Sequence, residues 1–145
     1  MRIFICILLA LVVGGCAAKS HDTLRREQFE QLPHKYSQYD LKLAWDSKIT
    51  GNAVIVEGVV WNVRWAHAQG MEIWVSLLDP NGRVLAEEVD LIRPDPLNIG
   101  EKSNFAVKLT AKPVPGSKLL FTYKYGALED VEGSTLWMQS FEADL

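Results

Sequence analysis

The sequence predicts an all-β fold, a two-layered antiparallel sandwich of about seven strands, and three observations carry that expectation. From residue 39 onward, short β-branched and aromatic runs recur between clusters of Gly, Pro, Asn and Asp. Several runs alternate apolar and polar side chains at the period of two that a half-buried strand requires. No helix of ten or more residues is readable between Tyr39 and Leu145.

The strands follow in order. Residues 39–46 set Leu41, Leu43 and Trp45 against Asp40, Lys42 and Ala44, and Thr50-Gly51-Asn52 turns the chain into a long run at 53–65. Both faces of that run are largely apolar, with Val54, Val56 and Val60 on one and Ile55, Val59 and Trp61 on the other, which predicts a central strand. Residues 71–78 and 83–91 form a hairpin across Asp79-Pro80-Asn81-Gly82, where Pro and Gly occupy positions that a tight turn favours. Pro94-Asp95-Pro96 lacks two ladder donors, so the chain there crosses to the other sheet or follows an edge. Strands at 104–110, 118–125 and 135–141 complete the set, with Pro113-Val114-Pro115-Gly116 breaking the chain between the first two. Seven short strands with turns at this spacing favour an immunoglobulin-like sandwich over a barrel.

Composition bounds the rest. A chain of 145 residues, 48% hydrophobic and 23% charged, suits one globular domain. The formal charge is −3, and no cluster of Lys and Arg with interleaved aromatics stands against it, so nucleic acid is not an expected partner. Its only cysteines are Cys6 and Cys16, and both fall in the first sixteen residues.

Those residues carry an address. Arg2 precedes an uninterrupted apolar stretch at 3–13, followed by Gly14, Gly15 and Cys16. A membrane-spanning helix needs about 20 apolar residues, so this stretch is too short to span and fits the apolar region of a signal peptide. Val13-Gly14-Gly15-Cys16 resembles the lipobox of bacterial lipoproteins. The resemblance implies cleavage before Cys16, lipid on its sulfur and on the new amino terminus, and recognition of Val13, Gly14 and Gly15 by the signal peptidase. One acyl chain holds a protein at a membrane only marginally, whereas several anchor it stably. Residue 17 is Ala where an Asp marks retention at the inner membrane in enterobacterial lipoproteins, which implies the periplasmic face of the outer membrane. No disulfide can form within the processed chain, because Cys6 leaves and Cys16 carries lipid.

The expected organisation is a cleaved signal peptide at 1–15, a lipidated cysteine and flexible tether at 16–38, and the sandwich at 39–145. The tether is polar and without sustained periodicity. Residues 23–32 place Leu24, Phe29 and Leu32 partly on one side, with Pro33 to end a helix, but so short a helix is marginal in isolation. Fully extended, the segment after Cys16 reaches about 70 Å.

The domain also carries a resemblance. Residues 54–62, then 75–79 with Asn81-Gly82-Arg83-Val84-Leu85, then Ile99-Gly100-Glu101 before Phe105, resemble the FxLYD domain family. Leu77 and Asp79 agree with the motif that names the family, while Val75 stands for Phe and Leu78 for Tyr. The resemblance implies a small immunoglobulin-like sandwich of a kind common in secreted and lipid-anchored bacterial proteins. It implies no catalytic residues.

Chemistry is sparse. His21, His34 and His67 have no partner at zinc-site spacing, the serines form no nucleophile elbow, and the acidic clusters at 87–90 and 129–132 read as solvated edges or loops. No catalytic residue, metal or cofactor is expected. The aromatic residues are more informative. Trp45, Trp61, Trp65, Trp74 and Trp137 are many for one sandwich, and Phe121, Tyr123 and Tyr125 share one face of a strand. They either fill the core or leave several rings exposed, and Trp65, Trp74 and Tyr123 are the candidate binding surface. The expectation is a lipid-anchored envelope protein that binds or assembles with a protein partner through a sheet edge or end loops. The alternative is a carbohydrate or small-ligand binder that uses those rings as stacking platforms.

Overall fold

One helix and eight strands form among the described residues: α1 (His21–Gln31), β1 (His34–Ser37), β2 (Leu41–Thr50), β3 (Ala53–Asn62), β4 (His67–Leu78), β5 (Val84–Leu91), β6 (Lys102–Leu109), β7 (Lys118–Leu128) and β8 (Ser134–Asp144). The structure is a computed structural model that describes residues 21–128 and 133–145. Strands β1-β2-β3-β6 make one antiparallel sheet and β5-β4-β7-β8 the other, so the expected sandwich is present.

All seven expected strands form, with shifted ends. The turn at Thr50-Gly51-Asn52, with Gly51 in the left-handed region (φ 60°), folds β2 onto β3 with Leu43 opposite Val60. The second run stops at Asn62, short of Trp65, because the Asn62 side chain bends the backbone that follows. Its Oδ1 accepts from the Arg64 N–H (3.0 Å), and its Nδ2 donates to the Ala66 carbonyl (3.0 Å). At the 79–83 turn, Asp79 Oδ1 accepts from the N–H groups of Asn81 and Arg83, each at 2.8 Å. Pro94-Asp95-Pro96 lies between β5 and β6, where the chain crosses from one sheet to the other.

The core lies between the sheets. Leu41, Leu43, Val54, Val56 and Val60 face Ile73, Val75, Leu77, Leu119 and Phe121, all fully buried. Much of the aromatic surplus is spent here. Trp45 packs on Phe121 (4.7 Å between centroids), Phe121 stacks on Phe141 (5.0 Å), and Phe141 stacks on Tyr36 (3.6 Å). That last pair closes the β1/β8 side of the sandwich. On the opposite side, Asp90 Oδ2 of β5 accepts from the Ala106 N–H of β6 (2.8 Å).

The expected flexible tether is corrected from His21 onward, because that stretch belongs to the folded unit. Phe29 is buried against Ala44 and Val59 on the outer face of the first sheet and meets Trp61 edge-on at 5.7 Å. Tertiary burial supplies what so short a helix lacks in isolation. After Leu32 and Pro33, β1 pairs with β2 with Tyr36 opposite Leu43, so the sandwich begins at His34 rather than Tyr39. This explains both apolar faces of β3. The strand is central, and α1 also covers part of its outer face.

Candidate functional site

Three features stand out, two at one end of the sandwich and one on its edge. At the end where β2, β4 and β6 begin and β3, β5 and β7 finish, a polar network lies beneath the loops. Asp40, just before β2, is 3% exposed and accepts from two hydroxyls of β7, Tyr123 OH (3.1 Å to Oδ1) and Tyr125 OH (2.8 Å to Oδ2). Arg64, 4% exposed, donates from Nη1 to Tyr125 OH (3.3 Å), and its guanidinium lies 4.1 Å from the Trp137 ring centroid. The network links both sheets to the β3–β4 loop. Above it, Gln38, Tyr39, Asp40, Tyr123, Trp137, Met138 and Gln139 line a cleft of about 50 Å³, room for a water or two and far below the ~300 Å³ of a ligand pocket.

The phenols are held protonated. Burial, and then the Asp40 carboxylate, push the Tyr123 pKa well above its ordinary value of 10.0, and burial with the hydrogen bond to Asp40 does the same for Tyr125. Above pH 10 the unfolded chain releases protons that the folded chain keeps. Stability from these two groups is therefore complete below pH 10 and falls as pH rises beyond it, by about 1.4 kcal/mol per pH unit for each phenol. Urea unfolding from pH 8 to 11 is expected to show this decline, and Tyr123→Phe with Tyr125→Phe to flatten it. An equally steep decline in the double variant would assign it to other groups.

The second feature is a latch under two loops at the same end. Asn62 is fully buried, and its Nδ2 donates to the carbonyls of Ala66 (3.0 Å) and Leu97 (2.9 Å). Its backbone carbonyl accepts from the Gly100 N–H (2.9 Å), while Ala68 and Leu97 exchange two backbone bonds. His67 Nδ1 lies 2.8 Å from Asn98 Oδ1. The β3–β4 and β5–β6 loops are thus fixed to each other. Each presents a large apolar side chain to solvent, Trp65 at 64% exposure and Ile99 at 52%.

The third feature is β8. It pairs with β7 over its full length, and among the described residues no strand pairs with its other edge. On its outward face, Leu136 and Met138 are 74% and 65% exposed. Beside them, the Lys124 Nζ donates to Glu72 Oε2 (2.9 Å), which also accepts from Trp74 Nε1 (2.7 Å). Lys124 and then Trp74 hold the Glu72 carboxyl below the usual range, and the Lys124 ammonium lies 5.3 Å from the Trp74 ring centroid.

The three candidate binding residues are not brought together. Trp65 is exposed at the loop end, Trp74 is half-buried on the outer face of the second sheet, and Tyr123 is 1% exposed. Tyr123 is corrected from a surface platform to a core residue, because its strand turns the 121/123/125 face inward and Asp40 receives its hydroxyl. Cys16, with Val13, Gly14 and Gly15, lies outside the described residues. The sequence reading missed Arg64, Asp40, Ile99, Leu136 and Met138. Leu136 and Met138 had a signal, since they alternate with inward-facing Trp137 and leave the last strand apolar on both faces. Among the described residues, no group of three His, Cys, Asp or Glu side chains is placed to hold a metal ion.

No family model matches the chain, and no curated protein matches it. Among solved structures it is similar to the GAE domain of GGA2p from Saccharomyces cerevisiae, with a TM-score of 0.50 and 10% identity over 78% of this chain and 97% of that one. At that identity the likeness concerns the fold alone, and that fold is immunoglobulin-like.

Proposed function

We propose that the chain is a lipid-anchored envelope protein, held through Cys16 at the periplasmic face of the outer membrane, whose sandwich binds a protein partner. The partner's extended segment adds to β8. One observation carries this reading: β8 is an 11-residue edge strand, without proline, whose outer ladder is unpaired among the described residues. Natural proteins shield such edges with charges, prolines or bulges, because an open ladder recruits other strands. Main-chain bonds along an open edge are a recurrent mode of peptide recognition, with side-chain contacts supplying specificity. Leu136 and Met138 supply those contacts here. The glycan reading draws less support, since Tyr123 is buried and the cleft above it is too small for a sugar ring.

Photocrosslinking in living cells tests the edge. A photoreactive residue at Met138 is expected to give a discrete heavier adduct, and one at Asn81, in the turn at the opposite end, to give none. Gln139 faces the sheet interface from an exposed position on the edge. The inward-pointing charge of Gln139→Lys is expected to abolish the adduct while leaving the thermal midpoint in place. Equal labelling from Met138 and Asn81 would remove β8 from the interaction.

A further inference from the structure

We infer that the end of the sandwich bearing Trp65 and Ile99 rests on the phospholipid surface that holds Cys16, with both side chains seated in the bilayer interface. The inference rests on anchoring through Cys16 and adds to it an orientation and a contact.

Chain length sets the first constraint. Only four residues separate Cys16 from His21, where α1 begins, and the five peptide units between them span no more than about 18 Å. The helix is itself docked. Phe29 is buried on the first sheet, and Arg25 Nη1 donates to the Lys102 carbonyl at 2.6 Å, which holds that turn of the helix at the start of β6. Continuing the helix from Arg25 back to His21 adds about 6 Å. The lipid attachment point therefore lies within roughly 24 Å of the Arg25 backbone, whose side chain reaches the start of β6.

The start of β6 belongs to the end that carries Trp65 and Ile99. Lys102 is opposite Trp61, and the Asn62 N–H donates to the Glu101 carbonyl (3.0 Å), so Ile99 and Trp65 flank this point on either side of the Asn62 latch. A ten-residue strand such as β3 runs about 33 Å, which places the 79–82 turn at the far end. Phe29 packs on Ala44 and Val59, further along the strands than Lys102, so the N-terminus of α1 points toward the near end, and a tether of about 18 Å from there falls short of the far end while α1 stays docked. The near end faces the lipid.

Its surface chemistry suits that position. Tryptophan combines an apolar ring with a polar N–H and is enriched where membrane meets water. A ring 64% exposed on a loop fixed by Asn62 is already presented for insertion, and Ile99 gives the neighbouring loop a purely apolar tip.

The test uses the full lipidated protein in vesicles of phosphatidylethanolamine and phosphatidylglycerol in equal parts. A polarity-sensitive fluorophore is attached through Trp65→Cys, Ile99→Cys or Asn81→Cys, all at exposed positions. Flotation first reports whether the protein is on the vesicles. On floated vesicles, labels at 65 and 99 are expected to shift to shorter wavelength and to be quenched several-fold more by spin-labelled lipid than the label at 81. Failure to float would overturn the anchor, and the inference with it. Flotation with equal quenching at all three positions would overturn the inference and leave the anchor standing. So would labels at 65 and 99 that stay in water on pure lipid but crosslink to a protein in cells, which would assign this end to a protein partner.

Discussion

Gly58→Val is expected to destabilise the domain by at least about 3 kcal/mol, at the upper end of what overpacking a core costs. Gly58 sits mid-strand in β3, between Trp45 of β2 and Phe105 of β6. A β-carbon there would lie 2.6 Å from two ring carbons of Phe105 and would collide with the Ala44 carbonyl oxygen. The ring can rotate aside, but the carbonyl belongs to a strand paired along its whole length. Gly58→Ala is therefore expected to destabilise already, and Phe105→Leu to rescue only part of that loss. A domain this size is usually stable by about 5–15 kcal/mol, so the valine variant loses a large share of the total. Urea unfolding followed by tryptophan fluorescence gives the difference directly. A valine variant within about 0.5 kcal/mol of wild type would mean that the sheet yields at this point, contrary to the close approach described.

Asp40→Leu is expected to cost about 3–5 kcal/mol, the range for removing one member of a buried charged network. It leaves two phenol hydroxyls, each on a residue 1% exposed, without their acceptor, and takes the carboxylate from the neighbourhood of Arg64. Asp40→Asn keeps one acceptor oxygen and should cost about 1–2 kcal/mol. Non-additivity gives the sharper readout. Once Tyr123 and Tyr125 are both phenylalanine, Asp40→Leu is expected to cost markedly less, because no donor is then stranded. An unchanged cost in that background would place the role of the Asp40 side chain elsewhere, for instance in its charge beside Arg64, which donates to Tyr125 OH.

Where side chains alternate strictly, the strands were legible. The core faces of β2 and β7 and the 79–82 turn follow from period and turn chemistry alone. β1 was not legible, because His34-Lys35-Tyr36-Ser37 offers a single apolar side chain, Tyr36, whose partner Phe141 comes from the last strand. Asp40 illustrates the same limit. A carboxylate beside alternating apolar residues reads as outward-facing, and the hydroxyl that calls it inward is 83 positions away along the chain. The helix was half-legible, since Phe29 and Leu32 gave it an apolar side but only the outer face of the first sheet, with Ala44, Val59 and Trp61, gives that side a place to go. Of the site, Trp65 was legible as a strand-end ring beside a small-residue loop. Trp74 and Tyr123 were not separable from it, because an aromatic at period two is equally suited to a core and to a binding face.

Both the partner-binding role of β8 at the envelope and the orientation toward lipid require a chain held at the membrane through Cys16. The most direct test is the intact mass of the mature protein extracted from the cell envelope, with fragmentation of its first residues. The expected chain begins at Cys16 and carries a diacylglycerol on the sulfur and an acyl chain on the amino terminus. A chain that retains Val13, Gly14 and Gly15, or that begins at Cys16 with a free thiol, would contradict the anchor.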